Sequence, residues 1–230
     1  MKKSLLIAAA LAAASPGAAH AVISTTCASP TSCSFTEFDG GATLTAAGIT
    51  MSLSAIEDFS DPMLDLSSLV VTASTEETGV LFSFDFASPV VISSLDSFVS
   101  LDFDIDVSTD GDPLIEGLEL TSDGLDSMGD AGSSVAMDVG GMGMTFLDVF
   151  DDFFAGEMFA DATAVTPTTD LSVLAAIMVG TFEDGAMASI SGFDLLVVAD
   201  IPAGPPVPVP PAALLMAAGL GLAARRRKSS

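Results

Sequence analysis

The sequence predicts a mainly β fold: a single antiparallel β-sandwich or jelly-roll-like domain with a short amphipathic helix, framed by an apolar segment at each end of the chain. Three observations predict it. Apolar and polar residues alternate with period two in several stretches, the pattern of strands with one buried and one wet face. Asp-Gly dipeptides at 39–40, 110–111, 123–124 and 184–185 supply turn chemistry, since Gly accepts positive φ and Asp caps its own turn. The stretch between the terminal segments, about 180 residues without an internal repeat, has the size of one domain with a real core.

Residues 1–21, MKKSLLIAAALAAASPGAAHA, open with Lys2 and Lys3, continue in an apolar run from Leu5 to Ala14, break at Ser-Pro-Gly and end in a small-x-small pattern at Ala19 and Ala21. This is the layout of a secretory signal peptide, with the mature chain starting at Val22. The apolar run is about half the roughly 20 residues of a spanning helix, which argues against an uncleaved anchor. Cys27 and Cys33 follow in CASPTSC. In an exported chain these two cysteines are expected to close a short local disulfide loop.

Strands come next. FSFDF at 82–86 points Phe82, Phe84 and Phe86 to one face. LDSFVSLDFDIDV at 95–107 places Leu95, Val99, Leu101, Phe103, Ile105 and Val107 inward, with Asp96, Ser100, Asp102, Asp104 and Asp106 outward. Near the end, FDLLVVADI repeats the pattern with Phe193, Leu195, Val197, Ala199 and Ile201. Between these, MDVGGMGM at 137–144 reads as a flexible lead-in to a helix. In TFLDVFDDFFAGEMF the residues Phe146, Leu147, Phe150, Phe153, Phe154 and Met158 recur at three and four, with Asp148, Asp151 and Asp152 opposite. Thr145 and Asp148 resemble a capping box, so a short amphipathic helix over one end of the sandwich is expected, covering the core rather than gripping a lipid or partner. DLSVLAAIMVG at 170–180 fits either a buried strand or a second helix.

Charge is distributed unevenly. The 6 Lys and Arg are Lys2, Lys3 and the run Arg225 to Lys228, and all 31 Asp and Glu lie between them, with no His after His20. The body is therefore purely anionic and forms no side-chain salt bridges, so its self-repulsion is screened only by external ions.

Residues 204–230 hold a Pro cluster, an apolar run from Ala212 to Ala224 and the basic end Arg225, Arg226, Arg227 and Lys228. Basic residues beside apolar segments stay in the cytoplasm, so with both ends held inside the acidic body is the exported part. Thirteen residues rise about 20 Å as a helix, short of a hydrocarbon core of about 30 Å. Such a length suits temporary retention, with a permanent tail anchor or a terminal helix buried in the fold as the alternatives. Val207-Pro208-Val209-Pro210, the apolar run and the Arg cluster together resemble the PEP-CTERM group of bacterial C-terminal sorting signals. The variant reading Val-Pro-Leu-Pro-Ala is nearest, with Val209 in place of Leu and Pro211 added before Ala212. The resemblance is confined to this segment. It implies export across the inner membrane, recognition by a membrane-embedded exosortase-type protease, removal of the tail and delivery to the cell surface or extracellular polymer.

The residue types missing from the body restrict its chemistry. Without His, Lys, Arg, Tyr or a free Cys there is no acid–base switch near neutral pH, no activated thiol and no cation for a phosphate or oxyanion. Nucleic acid is excluded as a partner, because phosphate contacts need Lys or Arg. Glycoside hydrolysis needs only two carboxylates about 5–9.5 Å apart, and Asp102, Asp104 and Asp106 stand about 6.8 Å apart along a strand face. With no Trp or Tyr to stack a sugar, that row reads instead as a solvated face. Calcium is the one candidate cofactor, with Asp106, Asp110 and Asp112, or Asp123, Asp126 and Asp130, as hard oxygen ligands. DFDIDVSTDGDP is not an EF-hand, since Val107 and Pro113 stand where that loop needs Gly and Glu.

The sequence thus divides into a signal peptide (1–21), an acidic β-sandwich domain (22–203) and a sorting segment (204–230). The expected protein is non-enzymatic, has a structural or adhesive role at the cell surface or in the extracellular matrix, and needs no cofactor. Its expected partners are signal peptidase, the exosortase-type protease and, transiently, the inner membrane. The alternatives are a tail-anchored envelope protein and a calcium-dependent carbohydrate-binding module whose partner is extracellular polysaccharide.

Overall fold

The computed structural model describes residues 23–201 apart from 62, 96, 123, 141–144 and 153–154. Ala19 and Ala21, the expected cleavage residues, and Val207 to Arg227, the expected sorting residues, lie outside the described residues. In chain order the elements are β1 (Ser24–Thr25), β2 (Ser32–Ser34), α1 (Phe35–Asp39), β3 (Thr43–Ala46), β4 (Ile49–Asp58), a 3-10 turn (Leu66–Ser68), β5 (Leu69–Glu76), β6 (Gly79–Ile92), β7 (Phe98–Thr109) and β8 (Ile115–Thr121). They continue with β9 (Leu125–Met128), β10 (Ala131–Val139), β11 (Phe146–Asp152), β12 (Gly156–Met158), β13 (Ala160–Thr168), β14 (Asp170–Thr181) and β15 (Met187–Ala199). Among the described residues no helix is long and apolar enough to cross a membrane.

The strands form two antiparallel sheets, one of eight strands ordered β1-β3-β4-β7-β14-β10-β11-β12 and one of seven ordered β13-β8-β15-β6-β5-β2, with β9 paired to β15. Period two accounts for what each strand buries. In β7, Val99, Leu101, Phe103, Ile105 and Val107 are buried and the intervening residues face out. In β6, Phe82, Phe84 and Phe86 are buried, and in β15 so are Phe193, Leu195, Val197 and Ala199. These inner faces join one hydrophobic cluster spanning both sheets. At its centre the Phe84 and Phe193 rings stack 4.5 Å apart, and the Phe35 ring meets Phe103 edge-on at 5.0 Å. Such pairs add about 0.5–1.5 kcal/mol beyond the area they bury.

The ambiguous stretch at 170–180 is strand β14, because its neighbours on both sides complete its backbone hydrogen bonds. It pairs with β7 from Asp170 to Gly180 and with β10 from Val173 to Thr181. Between β3 and β4 the residues Ala47 and Gly48 both have positive φ, at 50° and 82°, the requirement of a two-residue turn that matches strand twist.

The expected helix over 145–158 is instead the hairpin β11–β12. Its apolar residues satisfy a three-four spacing and a period of two at once, and burial follows the second: Leu147 and Val149 are fully buried while Phe146 is 61% exposed. Pairing with β10 at every position from Phe146 to Asp152 supplies the ladder that a short isolated helix would lack. Thr145 and Asp148 form no capping box, since the Asp148 N–H donates to the Asp161 carboxylate at 3.1 Å and the Thr145 carbonyl accepts from the Val139 N–H at 2.9 Å. The stretch at 137–144 is likewise not a lead-in throughout, because Met137–Val139 close β10. Leu95 precedes β7 and is 49% exposed rather than inward, because the chain turns before the strand begins.

The helix present is α1. Ser34 caps it, with its hydroxyl accepting from the Glu37 N–H at 3.4 Å while the Glu37 carboxylate accepts from the Ser34 N–H at 2.8 Å. The same carboxylate accepts from the Ala28 N–H at 2.8 Å, tying α1 to the loop that the Cys27–Cys33 disulfide closes. These bonds, that of Ala28 first, hold the Glu37 carboxyl below its ordinary range.

Candidate binding site

The outer face of the eight-stranded sheet carries a groove of about 550 Å³ that crosses β7, β14, β10 and β11. Its floor follows from register. Phe98 pairs with Gly180, Gly180 with Gly132, and Gly132 with Asp152, so one row across four strands has an aromatic at one end, a carboxylate at the other and no side chain between. The next row runs Ser100, Met178, Ser134, Phe150. Four strands at about 4.8 Å spacing make this trough about 14 Å wide. Phe98 and Met178 are about half exposed and Phe182, just beyond β14, is 62% exposed.

Neither glycine has positive φ, so the absence of side chains here is a matter of space. A Cβ on Gly180 would meet only the Phe98 Cβ, at 3.9 Å, and would project into the open trough. A Cβ on Gly132 would stand 2.5 Å from Asp152 Oδ2, so this carboxylate lies over the floor. Asp152 Oδ1 meanwhile accepts from the Ala155 N–H at 2.9 Å and holds the β11–β12 turn.

Asp148 also lines the groove. Its Oδ1 is shut off from solvent and has no hydrogen-bond partner among the described residues. Burial first, and the Asp161 carboxylate on β13 second, push the Asp148 carboxyl above its ordinary range. No cation relieves it, since residues 22–203 contain no Lys, Arg or His.

The residues singled out in the sequence lie elsewhere. Asp102, Asp104 and Asp106 share the outer face of β7, opposite Glu57, Ser54 and Ser52 on β4, and none lines the groove. Ser54 donates to Asp106 at 3.4 Å. Asp110 and Asp112 sit in the turn after β7, and among the described residues no three carboxylates, these included, come together as metal ligands. Asp126 lies on β9 and Asp130 in the turn before β10, while Asp123 is outside the described residues. The groove left one trace in the sequence: Phe98 and Met178 are large apolar residues in the outward phase of their strands, and Phe182 follows just beyond β14. The neighbourhood of Gly132 and Gly180, far apart in the chain, is visible only through strand pairing.

No family model and no curated protein matches this sequence. Among solved structures the chain is similar to the carbohydrate-binding module TmCBM61 in complex with β-1,4-galactotriose, with 14% identity over 63% of this chain and 89% of that one and a TM-score of 0.26. It is also similar to the enzymatically active domain of bacteriophage CBA120 tailspike protein 4, with 10% identity over 64% and 19% of the two chains and a TM-score of 0.22. A third is the CBM36-1 domain of a multidomain xylanase from the hindgut metagenome of Trinervitermes trinervoides, with 14% identity, 61% and 95% coverage and a TM-score of 0.20.

Proposed function

We propose that this is an exported, non-enzymatic protein that binds polysaccharide at the cell surface or in the extracellular matrix through the groove on its eight-stranded sheet. The observation that carries the reading is the row Phe98, Gly180, Gly132, Asp152. An exposed aromatic offers a face for the C–H side of a sugar, the glycine trough lets the ring approach the backbone, and the carboxylate at the far end accepts its hydroxyls. A strand-built floor positions these groups without a conformational change. Asp148 and Asp152 are four residues apart on β11, a backbone rise of about 13 Å, longer than the carboxylate separation that glycoside hydrolysis uses.

Titration of the full-length protein with soluble oligosaccharides tests this. The expected result is saturable binding that Phe98→Ala weakens about tenfold and that EDTA leaves unchanged. Binding abolished by EDTA points to the calcium-dependent module instead, and binding indifferent to Phe98 removes the groove from the site.

Export and release rest on the terminal segments. The signal peptide carries the acidic body across the inner membrane, and the sorting segment presents it to an exosortase-type protease. The intact mass of secreted protein is expected to lack residues 1–21 and the tail after about Val207. A tail retained in the membrane fraction alone would identify a tail-anchored envelope protein.

A further inference from the structure

We infer that the polysaccharide this groove takes is a neutral polymer with an extended, equatorially linked backbone, laid across the strands, and that Phe59 is its outermost stacking residue. Both parts rest on the glycan reading above and name the class of ligand. The trough is bordered along its length by a second row, in which strand pairing joins Ser100 to Met178, Met178 to Ser134 and Ser134 to Phe150. This row continues past β7 into the segment that follows β4. There the Phe59 N–H donates to the Ser100 carbonyl at 2.8 Å, and the bridge between Asp61 and Phe98 keeps the same register. Large apolar and small hydroxyl side chains therefore alternate from strand to strand as Phe59, Ser100, Met178, Ser134, Phe150. Phe59 is 54% exposed and Met178 50%, while Ser100, Ser134 and Phe150 are half-buried. The Asp58 carboxylate accepts from the Ser60 N–H at 2.9 Å and the Leu64 N–H at 2.7 Å, so the backbone that carries Phe59 is already held in place.

That alternation selects a backbone geometry. Adjacent strands lie about 4.8 Å apart, so the three apolar side chains recur about every 10 Å and the row from Phe59 to Phe150 runs about 19 Å. In a chain of pyranose rings joined through equatorial bonds, each ring is turned over relative to the last, and the same face returns at every second ring over nearly that repeat. Its C–H faces meet Phe59, Met178 and Phe150 in turn, and the serine hydroxyls between them pair with hydroxyls of the intervening rings. An axial or a 1,3 linkage curls the chain, so a ring seated on Met178 carries its neighbours off the row. Charge adds neutrality to the selection. The row holds no ionisable side chain, Asp61 and Asp152 stand to either side in the neighbouring row, and residues 22–203 have no Lys, Arg or His to pair with a uronate or sulfate.

Calorimetric titration of the full-length protein with hexamers that differ in linkage tests this. The β-1,4-linked hexamers of glucose, xylose and mannose are compared with the α-1,4-linked and β-1,3-linked hexamers of glucose, and the trimer of the tightest binder serves as a length control. At least one β-1,4 hexamer is expected to bind about tenfold or more tighter than both curled glucans. It is also expected to bind about tenfold tighter than its own trimer, which is too short to reach from Phe150 to Phe59. Phe59→Ala is expected to bring the hexamer down to the affinity of the trimer, to leave the trimer within about twofold and to leave Tm unchanged, a pattern that a merely structural role would not produce. A hexamer no tighter than its trimer, or one indifferent to Phe59→Ala, overturns the row as the track of the chain. Curled glucans that bind as tightly as the β-1,4 hexamers overturn the linkage assignment. In either case, binding that still depends on Phe98 leaves the glycan site standing. No Phe98-dependent binding of any oligosaccharide overturns the glycan reading itself.

Discussion

Gly180→Val separates the groove's role in binding from any role in folding. Gly180 lies in the middle of the trough on β14, with outward Phe98 beside it on β7 and Gly132 on β10. Its φ is negative, and the nearest atom to an added Cβ is the Phe98 Cβ at 3.9 Å, an ordinary contact. A β-branched residue therefore fits the backbone. Because glycine inside a strand costs about 0.5–1 kcal/mol, the variant is expected to melt at the same temperature or up to about 4 °C higher. Binding moves the other way. A sugar ring laid on the trough buries on the order of 80 Å² of apolar surface, about 2 kcal/mol at about 25 cal/mol per Å², so a valine that keeps the ring out weakens binding about thirtyfold. Thermal unfolding followed by circular dichroism and titration with soluble oligosaccharides measure the two effects on one sample. Unchanged affinity in a folded Gly180→Val protein would refute the assignment of the groove as the site. A large drop in melting temperature would show that the trough is closed by the protein's own packing.

Three further expectations concern the fold and its charge. Asp148 has a carboxyl raised above its ordinary range, so between an unfolded value of about 3.9 and that raised value the native state holds more protons than the unfolded chain, and stability falls as pH rises through this window. Asp148→Asn is therefore expected to stabilise the protein at pH 7 by no more than about 1 kcal/mol after solvent screening, with the gain vanishing as pH drops below about 3.9; a variant less stable than wild type at neutral pH would contradict this. Phe35, fully buried against Phe84 and Phe103, is expected to cost about 3–5 kcal/mol on substitution by Ala, read as a fall in Tm of about 6–20 °C. Because residues 22–203 hold all 31 acids and no side-chain cation, Tm is expected to climb from low to high salt and further with millimolar calcium, each kcal/mol recovered by screening being about 2–4 °C; a flat response would refute the self-repulsion argument.

The strands of the core were legible wherever one face is apolar and the other polar, as in β7, where every second residue from Val99 to Val107 is buried. The capping signature Ser34-Phe35-Thr36-Glu37 was equally present, but a five-residue helix is too short to show periodicity. In 145–158 the same Phe and Met residues fit both periods, and β10 resolved the ambiguity by offering a hydrogen-bonded neighbour that no local pattern contains.

What the sequence by itself determined is the charge and the chemistry it forbids. A body with no Lys, Arg or His is anionic in any fold, has no side-chain cation to offer a phosphate and forms no side-chain ion pairs, because these properties depend on which residues exist and not on where they go. What only the tertiary structure decided is the groove. Phe98, Gly132, Asp152 and Gly180 lie on four strands, and nothing local links them. Register brings them into one row, and because side chains alternate along each strand, a slip of one residue in any of the four would turn its contribution to the other face.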